Sequence, residues 1–247
     1  MIDPLTSVPP RRPRSAAGHA LGIVAAILLT AGCAHVPFDK PLDTPLGDTT
    51  AAAIRQQAVA DTPRKFSVLN TIVFEKFGRA VMALGYTDVD MDADTVSVLA
   101  LSPAGVKLFE FQERGGVIHH QYVIEHLARL GDVVTAVAAD IRRVYFDRVP
   151  PFESDVVKKK HTCEFTTSVK TDVTRYVFGG EERALLRKTA RRNGRKRWAV
   201  SYYEYQRRGT RLFPGGIVLK NDEHGYRLTV RLKDIFDDDE SVSTSNK

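Results

Sequence analysis

The 247-residue chain has two cysteines, Cys33 and Cys163, and a single tryptophan. Two thiols cannot build a disulfide framework or a four-thiolate zinc site. Long apolar runs are scarce too. Only Ala20–Ala31 stands out, and it falls short of the ~20 residues that a membrane-crossing helix needs, so a polytopic membrane protein is excluded. Glycine (17) and proline (12) are at ordinary levels, which removes collagen-like and low-complexity architectures. The chain also lacks a Gly-x-Ser-x-Gly elbow, a phosphate loop and a His-Glu-x-x-His helix. Nothing in it argues for an enzyme. Acidic residues are in the minority, 30 Asp+Glu against 36 Lys+Arg, and the resulting charge of +6 favours acidic partners without naming one.

What is present begins with an ordered amino terminus. Arg11, Arg12 and Arg14 precede the apolar run, which ends at Leu29-Thr30-Ala31-Gly32-Cys33. Basic region, apolar region and small-residue ending follow the order of a secretory leader. The ending resembles a bacterial lipobox, with Thr30 where Leu, Val or Ile is commoner. That resemblance implies removal of residues 1–32 and acylation of Cys33, which would anchor the protein to a membrane. Ala34 follows, rather than the Asp associated with inner-membrane retention. The expected location is therefore the outer membrane, facing the periplasm, where nucleic acid is no partner.

Residues 33–63 carry Pro37, Pro41, Pro45 and Pro63 among Gly, Asp and Thr, and read as a flexible tether with a short helix at Ala51–Ala60. Residues 237–247 open on Asp237-Asp-Asp-Glu240 and read as a disordered acidic tail. The folded domain is expected over residues 64–236.

Within it, apolar and polar residues mostly alternate, which marks half-buried strands. Such stretches are Phe66–Phe77, Val81–Tyr86, Asp94–Leu101, Val106–Phe111, Val117–Val123, Thr171–Phe178, Ala184–Arg192, Arg195–Tyr205, Thr210–Lys220 and Tyr226–Leu232. Asn193-Gly194 is the strongest hairpin signal, because a type I′ turn needs positive φ at both central positions. One segment has helical period instead. Leu127, Leu130, Val134, Val137, Ala138, Ile141, Val144 and Tyr145 fall three or four apart, and Pro150-Pro151 closes the stretch. The expectation is an α+β domain: an antiparallel sheet with one long helix covering its concave face.

Several clusters invite a chemical reading. Asp88, Asp90, Asp92 and Asp94 alternate as in a calcium loop, but Ala93 and Leu99 stand where Gly and Glu are required, so the set suits a solvated strand face. His119, His120 and His126 lack a familiar zinc spacing, and neighbours on a strand point to opposite faces. Cys163 near His161 says little about geometry. No metal and no cofactor is expected.

The basic cluster around Asn193-Gly194, formed by Arg183, Arg187, Lys188, Arg191, Arg192, Arg195, Lys196 and Arg197, is more informative. A two-residue turn sets Arg192 opposite Arg195 and Arg191 opposite Lys196, and like charges facing each other are destabilising. A phosphate-bearing lipid head group would relieve that repulsion. A solvated hairpin whose charges splay into water and block edge aggregation is the alternative.

Leu99–Phe111, Ala138–Phe146 and Ile217–Val230 together resemble an uncharacterised proteobacterial lipoprotein family, itself similar in pattern to the LolA/LolB lipoprotein carriers. The resemblance covers most of residues 65–233 and rests on structural phrases without catalytic residues. It implies an incomplete β-barrel whose apolar concavity holds acyl chains, with Phe109, Phe111, Leu127, Ile141 and Tyr145 as cavity-facing candidates. It implies a non-catalytic lipoprotein that binds or hands on a lipid or acylated ligand. The alternative is a scaffolding lipoprotein that meets another envelope protein, or the membrane surface, through its basic hairpin.

Overall fold

The computed structural model describes residues 36–129 and 132–236. The expected leader, Cys33 and the acidic tail lie outside the described residues.

Among the described residues, twelve strands form one antiparallel sheet, most of them from alternating apolar residues. They are β1 (Lys65–Lys76), β2 (Arg79–Asp90), β3 (Thr95–Leu101), β4 (Lys107–Arg114), β5 (Val117–Val123), β6 (Asp155–Lys158), β7 (Thr162–Val169), β8 (Asp172–Gly179), β9 (Ala184–Arg192), β10 (Arg195–Arg208), β11 (Arg211–Asn221) and β12 (Tyr226–Phe236). Their spatial order is β5-β4-β3-β2-β1-β12-β11-β10-β9-β8-β7-β6. Two meanders are thus joined where β1 pairs with β12, and β5 and β6 are left as free edges.

That topology dictates where the helical segment goes. The chain leaves the sheet at one edge, β5, and re-enters at the other, β6, so the connection between them must cross a face. The sheet does not close, and its antiparallel, helix-poor character agrees with the sequence. The single long helix does not form. It is divided into α2 (Glu125–Ala128) and α3 (Val133–Ile141), and α3 continues as a π-helical turn, Arg142–Phe146. The break has a local cause. Asp132 caps α3 by accepting a hydrogen bond from the Thr135 N–H at 3.0 Å, so a helix starts there rather than passing through. The periodicity of Leu127 through Val134 was compatible with either outcome, because it cannot distinguish one helix from two in line.

Two cores result. The larger gathers Phe66 and Val68 of β1, Val89 of β2, Phe165, Phe178, Val200, Tyr202 and Leu219 from the second meander, and Val144 and Tyr145 of the π turn. The smaller joins Val96, Val98 and Phe111 to Val134 and Ala138 of α3. Ile141 and Phe146 pack against both, so the helical segment is wedged between the halves of the sheet. Strands β6 and β7 are absent from the sequence reading, and β7 supplies Cys163 and Phe165 to the larger core.

The segment read as a tether carries three large buried apolar side chains: Phe38, Leu46 and, on α1 (Ala51–Asp61), Ile54. Phe38 stacks on Tyr203 with centroids 5.4 Å apart, beneath the Arg231 guanidinium. It reaches the sheet because Gly216 has no side chain, and a Cβ there would overlap the ring. A composition of Pro, Gly and Asp cannot register such isolated apolar anchors.

Candidate functional site

The apolar residues singled out from the sequence separate into three groups. Phe109 and Phe111 of β4 stack with centroids 6.1 Å apart, and Ile141 of α3 joins them against the smaller core. Tyr145 belongs to the larger core, edge-on to Phe66 at 5.5 Å. Leu127 sits on α2, outside both cores, and is half-buried. Phe111 and Tyr145 are 1% and 7% exposed, so both are packed against protein atoms rather than facing open space.

A different apolar row stays accessible on the same face. The β1·β2 and β1·β12 registers place Ile72 beside Ala83 and Val230, and Phe74 beside Val81 and Leu228. These side chains share a face with Val68 and with Asn70, which donates to the Tyr145 hydroxyl at 3.5 Å, so the row lies on the side that the helical segment covers. All are half-buried except Val81, which is exposed. Gly85 makes room for the row, because a Cβ there would stand 2.7 Å from Ile72 Cδ1. The result is a partly covered apolar strip along β2, β1 and β12.

Polar groups fasten the helical segment beside this strip. Its terminal carbonyls, which have no intrahelical partner, are taken up by the sheet. The Tyr202 hydroxyl donates to Val144 O at 2.9 Å, and Lys188 Nζ to Asp147 O at 2.8 Å. Arg142 reaches the buried Glu113 at 2.5 Å and Asp94 at 2.8 Å. Asp140 accepts from Tyr226, whose hydroxyl also accepts from Asn221 at 2.9 Å, and pairs with Arg143 at 2.5 Å. Burial pushes the Asp140 carboxyl above its ordinary range, against the opposing pull of Tyr226 and Arg143. Lys188 is 1% exposed, and desolvation brings its pKa down to about 7 despite the nearby Asp147. Its ammonium lies 5.6 Å from the Trp198 ring centre. Sequence reasoning placed Lys188 in the surface cluster. The available signal was its alternation in β9 with Ala190, which puts it on the inner face with Trp198 and Val200.

The hairpin at Asn193-Gly194 forms with the expected register, Arg195 opposite Arg192 and Lys196 opposite Arg191, and both turn residues have positive φ. The crowding of like charge is relieved within the protein, however. Arg192 makes a bidentate pair with Asp172 at 2.6 and 2.9 Å, Lys196 pairs with Asp222 at 2.9 Å, and Arg191 donates to Gly194 O at 3.1 Å. Asp172 of β8 and Asp222 of the β11–β12 turn are the acids that offset the repulsion, and a two-strand view of the hairpin leaves them out.

The remaining clusters have ordinary partners. Asp90 accepts from the Asp92 and Ala93 N–H groups, Asp92 pairs with Arg64, and Asp88 accepts from Ser67. His119 and His126 are exposed on different elements. Cys163 is fully buried with its thiol pushed up by desolvation, while His161 turns to Asp43. Among the described residues, no group of three or more His, Cys, Asp or Glu is placed to hold a metal. None of their helices is long and apolar enough to cross a membrane.

This fold, an unclosed antiparallel sheet with a short helical segment against one face, recurs in a solved structure of low sequence identity. A LolA superfamily protein from Nitrosomonas europaea superposes with a TM-score of 0.51 at 14% identity, over 76% of this chain and 93% of that one. Less close are a putative outer membrane lipoprotein-sorting protein domain from Vibrio parahaemolyticus (TM-score 0.47, 9% identity, 74% and 89% covered) and a DUF1329 family protein from Desulfovibrio piger (0.47, 12%, 76% and 92%). Residues 85–234 match the model of DUF3261, a family described as proteins of unknown function. The chain belongs to that family. A search of curated proteins found no match.

Proposed function

We propose that this protein binds a lipid or acylated ligand along the apolar strip and hands it on, without catalysis, while anchored through an acylated Cys33 to the periplasmic face of the outer membrane. The observation that carries the reading is the strip itself. Ile72, Phe74 and Ala83 stay half-covered on the inner face of the sheet, beside Leu228 and Val230, which are half-buried at the margin of the larger core. Lipid sites are apolar clefts with few polar contacts, and such a row fits an extended acyl chain. Asp140, Tyr226 and Asn221 border it and supply polar groups for a head group. The sequence resemblance to lipoprotein carriers points the same way.

Native mass spectrometry of the chain from Ala34 onward should detect a co-purified lipid. A fluorescent fatty-acyl probe should bind saturably and be displaced by that lipid. Ala83→Phe combined with Val230→Trp fills the strip and should weaken probe binding by about tenfold or more, as expected when an apolar pocket is occupied. Saturable binding unchanged by the filling places the probe elsewhere and overturns the reading.

Anchoring is separately testable. Cys33→Ala in the full chain should abolish incorporation of labelled palmitate and release the protein from the outer-membrane fraction. Palmitate entering the variant at the same level would refute acylation at Cys33.

A further inference from the structure

Antiparallel order sends successive turns to opposite edges of the sheet. One edge collects the β1–β2, β3–β4, β7–β8, β9–β10 and β11–β12 turns, and the other collects the remaining five. The two edges differ in what they expose. On the first, Phe77, Val106 and Val169 stand at three separate turns, 87%, 53% and 64% exposed. Val81 and Met82 add to them, because β2 runs past its last pairing with β3, Leu84 with Leu101, and leaves the β1–β2 hairpin projecting. On the opposite edge Val117 is the exposed large apolar side chain at a turn among the described residues. Others exposed near that edge, Leu42, Val59 and Val157, lie on the amino-terminal segment, on α1 and on edge strand β6 rather than at hairpin tips.

The first edge also carries cations without acidic partners. Lys76, Arg79, Lys170 and Arg195 make no ion pair among the described residues, and Lys76 lies over the Phe77 ring at 5.2 Å. The acids of this edge are already engaged: Asp172 with Arg192, Asp222 with Lys196, and Glu223 with Arg197. Phe77 sits at the tip with φ of 51°, a conformation that suits Gly or Asn and strains a bulky residue. Water gives that side chain neither packing nor relief.

We infer that this edge docks on an anionic bilayer, with Phe77 and the projecting β1–β2 hairpin entering the interface while Lys76, Arg79, Lys170 and Arg195 meet lipid phosphates. An aromatic tip flanked by Lys and Arg has the amphipathic order of the interface, apolar group inward and cations at head-group level. Apolar tips on three sequence-distant turns suit a broad, yielding surface better than a protein groove. The apolar strip runs to the same end, since Phe74 and Val81 lie at the root of this hairpin. The inference goes beyond the acyl-binding reading, because docking here does not require a ligand in the strip.

The test uses the chain from Ala34 onward, which keeps both cores because the compact unit begins at Phe38. Lacking the acyl anchor, it should co-sediment with phosphatidylglycerol–phosphatidylcholine vesicles and not with phosphatidylcholine alone. Phe77→Asn combined with Val169→Ser should weaken binding about tenfold. Asn suits the positive φ, so folding is spared. Lys76→Gln, Arg79→Gln, Lys170→Gln and Arg195→Gln together should remove most binding and flatten its salt dependence. Arg114→Gln, Lys160→Gln and Arg208→Gln on the opposite edge should leave binding unchanged. An environment-sensitive fluorophore on Phe77→Cys should shift to the blue on the anionic vesicles, while one on Val117→Cys should not; the buried Cys163 escapes labelling. Equal binding by the tip variants, equal loss in the opposite-edge variant, or equal shifts at both labels would overturn the inference. Acyl-probe binding by the tip variants should be unchanged, so failure here is distinct from failure of the ligand reading.

Discussion

Lys188→Met should make the protein more stable at pH 6, by on the order of 3 kcal/mol, because a buried cation is exchanged for an apolar side chain of similar length. Lys188 is fully buried between Tyr176 and Val200 in the strand register and has a carbonyl, not a carboxylate, as its hydrogen-bond partner. Its folded pKa, about 7, lies below the ordinary 10.5. Below about pH 7 the folded and unfolded chains both hold the proton, and the folded state bears the full desolvation cost. Between about 7 and 10.5 the unfolded chain holds the proton and the folded chain does not, so wild-type stability rises with pH relative to the variant. Denaturant melts of both proteins from pH 6 to pH 10 should show the gap closing. A gap that is constant with pH would mean that Lys188 is solvated.

Arg142→Met should destabilise the fold by about 3 kcal/mol, since removing one member of a buried pair leaves the other charge uncompensated. The side chain of Glu113 is 3% exposed, and Arg142 is its ion-pair partner at 2.5 Å. A second change, Glu113→Leu, should recover most of the loss, because the pair is then replaced by apolar groups. Arg142 also fastens the helical segment through Asp94, so amide exchange over residues 133–146 should accelerate in the single variant. An effect below about 0.5 kcal/mol would show the pair to be worth no more than a surface contact.

Ten of the twelve strands were legible in the alternation of apolar residues, because a half-buried sheet imposes a period of two that survives in sequence. The exceptions show the limit. β6 is a short edge strand, exposed throughout, so it has no buried face to pattern. β7 has only Cys163 and Phe165 to mark its buried face, with Glu164 between them and Thr166, Thr167 and Ser168 after. The asymmetry of the hairpin tips was invisible too. Phe77 read as one more member of an apolar set until the register placed it at a projecting turn.

The sequence by itself determined the class of protein: mainly antiparallel β-structure, no cysteine framework, a leader-like amino terminus, and a turn at Asn193-Gly194 whose backbone chemistry fixed the register of β9 and β10. These follow from local physics, in which neighbours along the chain decide the conformation. Only the tertiary structure decided which charges are buried and which are free. Lys188 and Arg195 belong to the same basic run, yet one lies inside beside Trp198 and the other stands unpaired at the rim. It also decided that Phe111 and Tyr145 fill the cores while Ile72 and Phe74 remain half-open. Each of those outcomes depends on what a distant strand or the crossing helical segment brings alongside, and strand periodicity names only the face, not its cover.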